Sequence, residues 1–146
     1  MFTFATDYYL FVFTATLGVL QIAASVGRLN GLLLLKCPIP ARSLGAALAV
    51  AAAVWFFSSD TRNLNDFKGG LDANVQALFF FFGALSALAA TLLVSSLVNL
   101  RMNGGTAGAD DGLDALRHVN YGRALARSLR LWRREWRTRT KPYFFG

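Results

Sequence analysis

The chain has 146 residues, of which 55% are hydrophobic, 14% aromatic and 16% charged, and it carries a net charge of +7. Soluble domains carry about 25% charged residues, and the deficit here is concentrated, with no charge at 8–27, 43–59 or 73–100. Three such windows exceed what a small soluble core can bury, and the single cysteine, Cys37, excludes an intramolecular disulfide.

The first element is a span over about 8–26, close to the ~20 residues that cross a bilayer. Tyr8 and Tyr9 stand at its outer end, as an aromatic belt requires, and Gln21 is its one strongly polar side chain. The seven residues before it hold Asp7 and no cation. That fits neither a signal peptide nor an arginine-rich transit segment, so the span is expected to be retained.

The connection that follows carries Arg28, Lys36 and Arg42 without an acid. Its run from Gly31 to Leu35, followed by Pro38 and Pro40, predicts a short apolar helix ended by proline and lying at the headgroup boundary. Continuation of the first helix to Lys36, with a break at Asn30-Gly31, is the equal alternative. Cys37 sits where acylation occurs, but a juxtamembrane cysteine does not establish it alone.

A second span is expected over 43–59. Only the 14 residues from Leu44 to Phe57 are uninterrupted, about 21 Å of helix. Crossing therefore requires Arg42 to snorkel outward and Ser58 and Ser59 to cap the other end; a buried hairpin or re-entrant segment is the alternative. Gly45, Ala49 and Ala53 place small residues on one face for close helix packing. The next connection sets Arg62 and Lys68 against Asp60, Asp66 and Asp72, and reads as a solvated loop. The third span, about 75–98, opens on four phenylalanines, and its Gly83, Ala87 and Ala90 repeat the small-residue pattern. Together, residues 1–100 read as a small three-helix transmembrane bundle. Cations favour the cytoplasmic side, which places the first connection and the tail inside and the N-terminus outside.

Residues 101–110 read as a flexible linker by composition, and 111–146 as a basic cytoplasmic tail. With residue 101 included, the region to the C-terminus holds ten cations and four acids, +6 of the net +7. One helix is expected from Asp110 or Asp111, which would cap it, to about Thr138. Along it Tyr121, Leu125, Leu129, Trp132 and Trp136 make an apolar stripe. Arg123, Arg127, Arg130, Arg134 and Arg137 follow the same spacing about 200° around the axis. An interfacial helix has this form, and so has a helix that docks on another protein. Anionic phospholipid headgroups and other membrane protein subunits are the expected partners. The aromatic stripe argues for burial and against nucleic acid, while assembly of several copies stays open.

No catalytic constellation is present. His118 is the only histidine, too few for a usual zinc or bis-histidine haem site. Asp111-Gly112-Leu113-Asp114-Ala115-Leu116-Arg117 departs from the Asp-Gly-x-x-Ala-Arg opening of the CDP-alcohol phosphotransferases. Leu116 separates the alanine from the arginine, and the next acid is Glu135. The spans of this reading hold no carboxylate, histidine or cation, which argues against single-copy transport.

The sequence therefore predicts an all-α integral membrane protein without enzyme activity or cofactor, in a bacterial plasma membrane or an organelle inner membrane. A non-catalytic subunit or scaffold of a membrane complex is the leading expectation. A binder of anionic lipid and an oligomeric channel or carrier are the alternatives.

Overall fold

The computed structural model describes residues 4–58, 72–100, 112–119 and 121–139. Their order is α1 (Phe4–Val26), a short 3-10 turn (Asn30–Leu32), α2 (Pro38–Ser58), α3 (Ala73–Val98), a second 3-10 turn (Gly112–Arg117) and α4 (Tyr121–Arg139). No strand occurs among them. Helices α1, α2 and α3 are each long and apolar enough to cross a membrane. At 23, 21 and 26 residues they measure about 34, 31 and 39 Å, against a hydrocarbon core of ~30 Å.

Helix α2 reaches that length because it starts five residues earlier than its uncharged window. Pro38 and Pro40 open the helix; they do not end one. In the first turn the missing N–H groups need no intrahelical acceptor, and proline's φ is already helical. The amide of Ala41 bonds the carbonyl of Cys37 at 3.2 Å, closing the first turn across both prolines.

Neither reading of the preceding segment holds. Helix α1 stops at Val26, and its end is a Schellman arrangement: Leu29 N–H donates to the Ala24 carbonyl (2.9 Å) and Arg28 N–H to that of Ser25 (3.3 Å). Arg28 occupies the left-handed position usual for glycine, with φ 56°. Leu29 folds back on Ala24, Leu33 and Ala41, the small core at this end. Only one 3-10 turn follows, and the chain bends to Cys37 without a leucine helix.

The three long helices do not close into a bundle. Both α2 and α3 pack along α1, and the described residues of α2 and α3 scarcely meet. Gly18 of α1 faces α2, and Tyr9 of α1 faces α3. Tyr9 and Val12, which both meet Gly83 of α3, lie about 180° and about 120° from Gly18 around the axis. Helix α1 thus holds α2 and α3 on different faces and stands between them.

The tail also departs from a single long helix. The 3-10 turn Gly112–Arg117 precedes α4, and Ala115 and Leu116 of that turn are buried. Asp114 pairs with Arg117 at 3.1 Å on an exposed surface, a contact that contributes little in water. The linker 101–110, the expected capping residues Asp110 and Asp111, and Asp60 and Asp66 of the connection between α2 and α3 lie outside the described residues. Asp72 precedes α3 and accepts a 2.9 Å bond from the Gln76 amide through its carbonyl.

Candidate functional site

Small residues set the helix contacts. A Cβ on Gly18 would stand 2.5 Å from the Gly45 carbonyl oxygen and 2.9 Å from the Ala49 amide, so α1 and α2 touch backbone to backbone. On α2 the most buried positions are Ala41, Gly45, Ala52 and Phe56, with Ala49 and Ala53 half-buried beside them. On α3 they are Gly83, Ala87, Thr91 and Ser95, and the following Asn99 continues the four-residue step. Ala90 is half-buried at the edge of that stripe. Gly83 lies against Val12 and the Tyr9 backbone.

Hydroxyls on these faces find partners within hydrocarbon depth. Thr91 donates to the Ala87 carbonyl (2.9 Å), Ser95 to that of Leu92 (3.3 Å) and Ser86 to that of Phe82 (2.6 Å). Tyr9 then meets Ser86 hydroxyl to hydroxyl at 2.7 Å, with the tyrosine proton free to donate because the serine proton is used. Asp7, one residue before the expected edge of the span, is buried in the first turn of α1 because the helix starts earlier, at Phe4. Near it Phe11 stacks on Phe56 with ring centroids 4.6 Å apart, and Phe4, Tyr8 and Phe57 complete an aromatic cluster at this end.

The opposite end is stitched by polar side chains. Gln21, fully buried, accepts from the Leu34 amide at 2.9 Å and reaches the Leu32 carbonyl at 3.5 Å. Ser25 donates to the Pro38 carbonyl (2.8 Å), and Asn99 donates to the Leu33 carbonyl (2.9 Å). A loop that would leave backbone groups unpaired at the membrane edge is thereby satisfied from α1 and α3. The tail joins the same knot. Gly31 lies so close to the Leu116 and Val119 carbonyls that no side chain fits there, and Asn30 reaches the Arg117 carbonyl at 3.5 Å.

Helix α4 leaves this knot at its first turn. A Cβ on Gly122 would stand 2.9 Å from the Ser96 hydroxyl of α3, and Tyr121 and Ala124 are half-buried. Beyond them Leu125, Leu129, Trp132 and Trp136 are exposed, with the two indoles 5.5 Å apart. Arg123, Arg127, Arg130 and Arg134 are exposed on the far side, and Arg130 bonds back to the Ala126 carbonyl at 3.1 Å. The Arg137 side chain lies outside the described residues.

Sequence reasoning named Gln21, Gly45 and Gly83 but missed Gly18, Gly31 and Asn99. For Asn99 a signal existed in the four-residue steps 83, 87, 91, 95 and 99. A lone glycine such as Gly18 or Gly31 carries none. Among the described residues, no three His, Cys, Asp or Glu side chains gather where they could hold a metal. Searches against protein-family profiles, curated proteins and solved structures find no match.

Proposed function

We propose that this chain is a non-catalytic subunit or scaffold of a larger membrane protein complex, oriented with its N-terminus outside and the stitched end on the cytoplasmic side. One observation carries the reading. Helix α2 has a second small-residue face, Ser43, Ala47 and Ala51, which is exposed. It lies about 200° from Gly45 around the axis, away from the contact with α1. Lipid tails need no small residues. A neighbouring helix does, because close backbone approach is what supplies dispersion and weak polar contacts in hydrocarbon.

Basic residues at the stitched end support the orientation: Arg28, Lys36 and Arg42 lie in or beside the first connection, and the arginine-rich α4 emerges next to it. The absence of an acid–base or nucleophile set in the sequence makes a supporting role the simpler one.

Crosslinking in native membranes followed by mass spectrometry tests the reading. A recurring partner, lost when Ala47 and Ala51 are replaced by leucine, is the expected result. Recovery of the chain as a free monomer under mild detergent contradicts it.

A further inference from the structure

We infer that α4 lies on the surface of the bilayer that holds the three spans, with its tryptophan stripe in the acyl boundary and its arginines on anionic phospholipid headgroups. The starting point is where the helix begins. Gly122 sits against Ser96, and Ser96 is followed by Leu97, Val98 and Leu100, all exposed. The first turn of α4 is therefore held within the apolar length of α3, at the hydrocarbon edge and not out in water. A helix pinned at that depth meets the leaflet without a diffusional search, so weak contacts suffice to keep it there.

Its two faces suit that position. Leu125, Leu129, Trp132 and Trp136 remain exposed, the indoles at 56% each. Tryptophan is enriched at the headgroup level because an apolar ring with one N–H matches a boundary. Opposite stand Arg123, Arg127, Arg130 and Arg134, Arg133 lies on the flank of the stripe, and no acid falls between Tyr121 and Arg134. Guanidinium groups hold phosphate through paired hydrogen bonds, which a single-sign row of cations at headgroup height brings within reach.

A second set of exposed side chains lies at the same end. Leu35, in the loop tied to the tail through Gly31, and Ile39, in the first turn of α2, are exposed on either side of Lys36, Ile39 at 78%. Apolar and basic groups thus meet the leaflet edge from the loop as well as from α4. An acidic protein surface would satisfy the arginines, but it gives no account of why the helix starts at the hydrocarbon edge.

The test uses the full chain carrying Trp55→Phe, so that fluorescence reports Trp132 and Trp136 alone. It is reconstituted into vesicles of phosphatidylcholine, with or without a third of phosphatidylglycerol, each containing lipids brominated near the glycerol end of the acyl chain. Strong quenching in the anionic vesicles, weaker quenching in the neutral ones and reversal by salt are expected. Removing three cations as R130Q, R133Q and R134Q lowers the surface equilibrium about a hundred-fold, at about five-fold for each, and brings anionic vesicles to the neutral level. Unchanged circular dichroism and melting separate this from misfolding, since these side chains are exposed. Equal quenching in both lipids, unaffected by the substitutions, overturns the headgroup contact. No quenching in either overturns membrane docking and points to a protein partner. None of these results depends on whether a partner subunit copurifies.

Discussion

Asn99 and Leu33 stand 66 positions apart, and the amide of one donates to the carbonyl of the other at 2.9 Å in a buried contact. This bond joins the end of α3 to the bend between α1 and α2. With the two bonds from Gln21 to Leu32 and Leu34 it fixes three consecutive loop residues from two helices. In apolar surroundings such groups stabilise mainly by avoiding unpaired dipoles.

Replacing Asn99 by leucine keeps the bulk and strands the Leu33 carbonyl. A loss of about 1–3 kcal/mol is expected, read as a lower unfolding midpoint in detergent micelles. The Gln21→Leu change should couple to it, because both amides hold adjacent loop residues. The double variant then departs from the sum of the singles by about 0.5 kcal/mol or more. Strict additivity in a denaturant series counts against a shared network.

The three spans were legible in the sequence because charge is costly in hydrocarbon, and its absence over long windows leaves a mark that needs no partner residue. Stitching of the loop was not legible. Asn99–Leu33 and Gly31–Val119 are meetings of residues far apart in sequence, and no local pattern encodes them. Pro38 and Pro40 were readable in principle: two prolines directly before an apolar run fit a first turn as well as a terminator. Tail amphipathicity was visible from spacing, whereas its break into the Gly112–Arg117 turn and α4 depends on Leu116 being buried beside the first loop.

Gly18 to alanine places a methyl 2.5 Å from the Gly45 carbonyl, which no rotamer relieves. Separation of α1 from α2 should cost about 1–3 kcal/mol, the usual range for overpacking. The contrasting change Ala47→Leu, on the exposed face of α2, should leave the isolated chain as stable as before. Thermal melts of both variants in one detergent make the comparison.

Arg28 carries left-handed backbone that L-residues adopt at a cost of about 1–2 kcal/mol. Arg28→Gly removes most of that cost while adding chain entropy to the unfolded state, so a net gain of about 0.5–1 kcal/mol is expected. Arg28→Val should be destabilising, because a β-branched side chain tolerates this region poorly. The order Gly above Arg above Val in unfolding midpoint checks both.

Tyr9→Phe removes the 2.7 Å contact to Ser86. Interhelical bonds inside membranes average only about 0.6 kcal/mol, so this change should shift the midpoint far less than Asn99→Leu. A large loss would mean that the α1–α3 contact depends on that hydroxyl and not on the Gly83–Val12 packing.

The most direct measurement is thiol labelling at the two ends of α2, the element whose crossing rests on its proline start. With an impermeant maleimide, native Cys37 should stay unlabelled in intact cells and react once the membrane is permeabilised. Ser58→Cys, in a chain carrying Cys37→Ser, should react in intact cells. Labelling of both positions from the same side would contradict a crossing by Pro38–Ser58 and with it the three-span account.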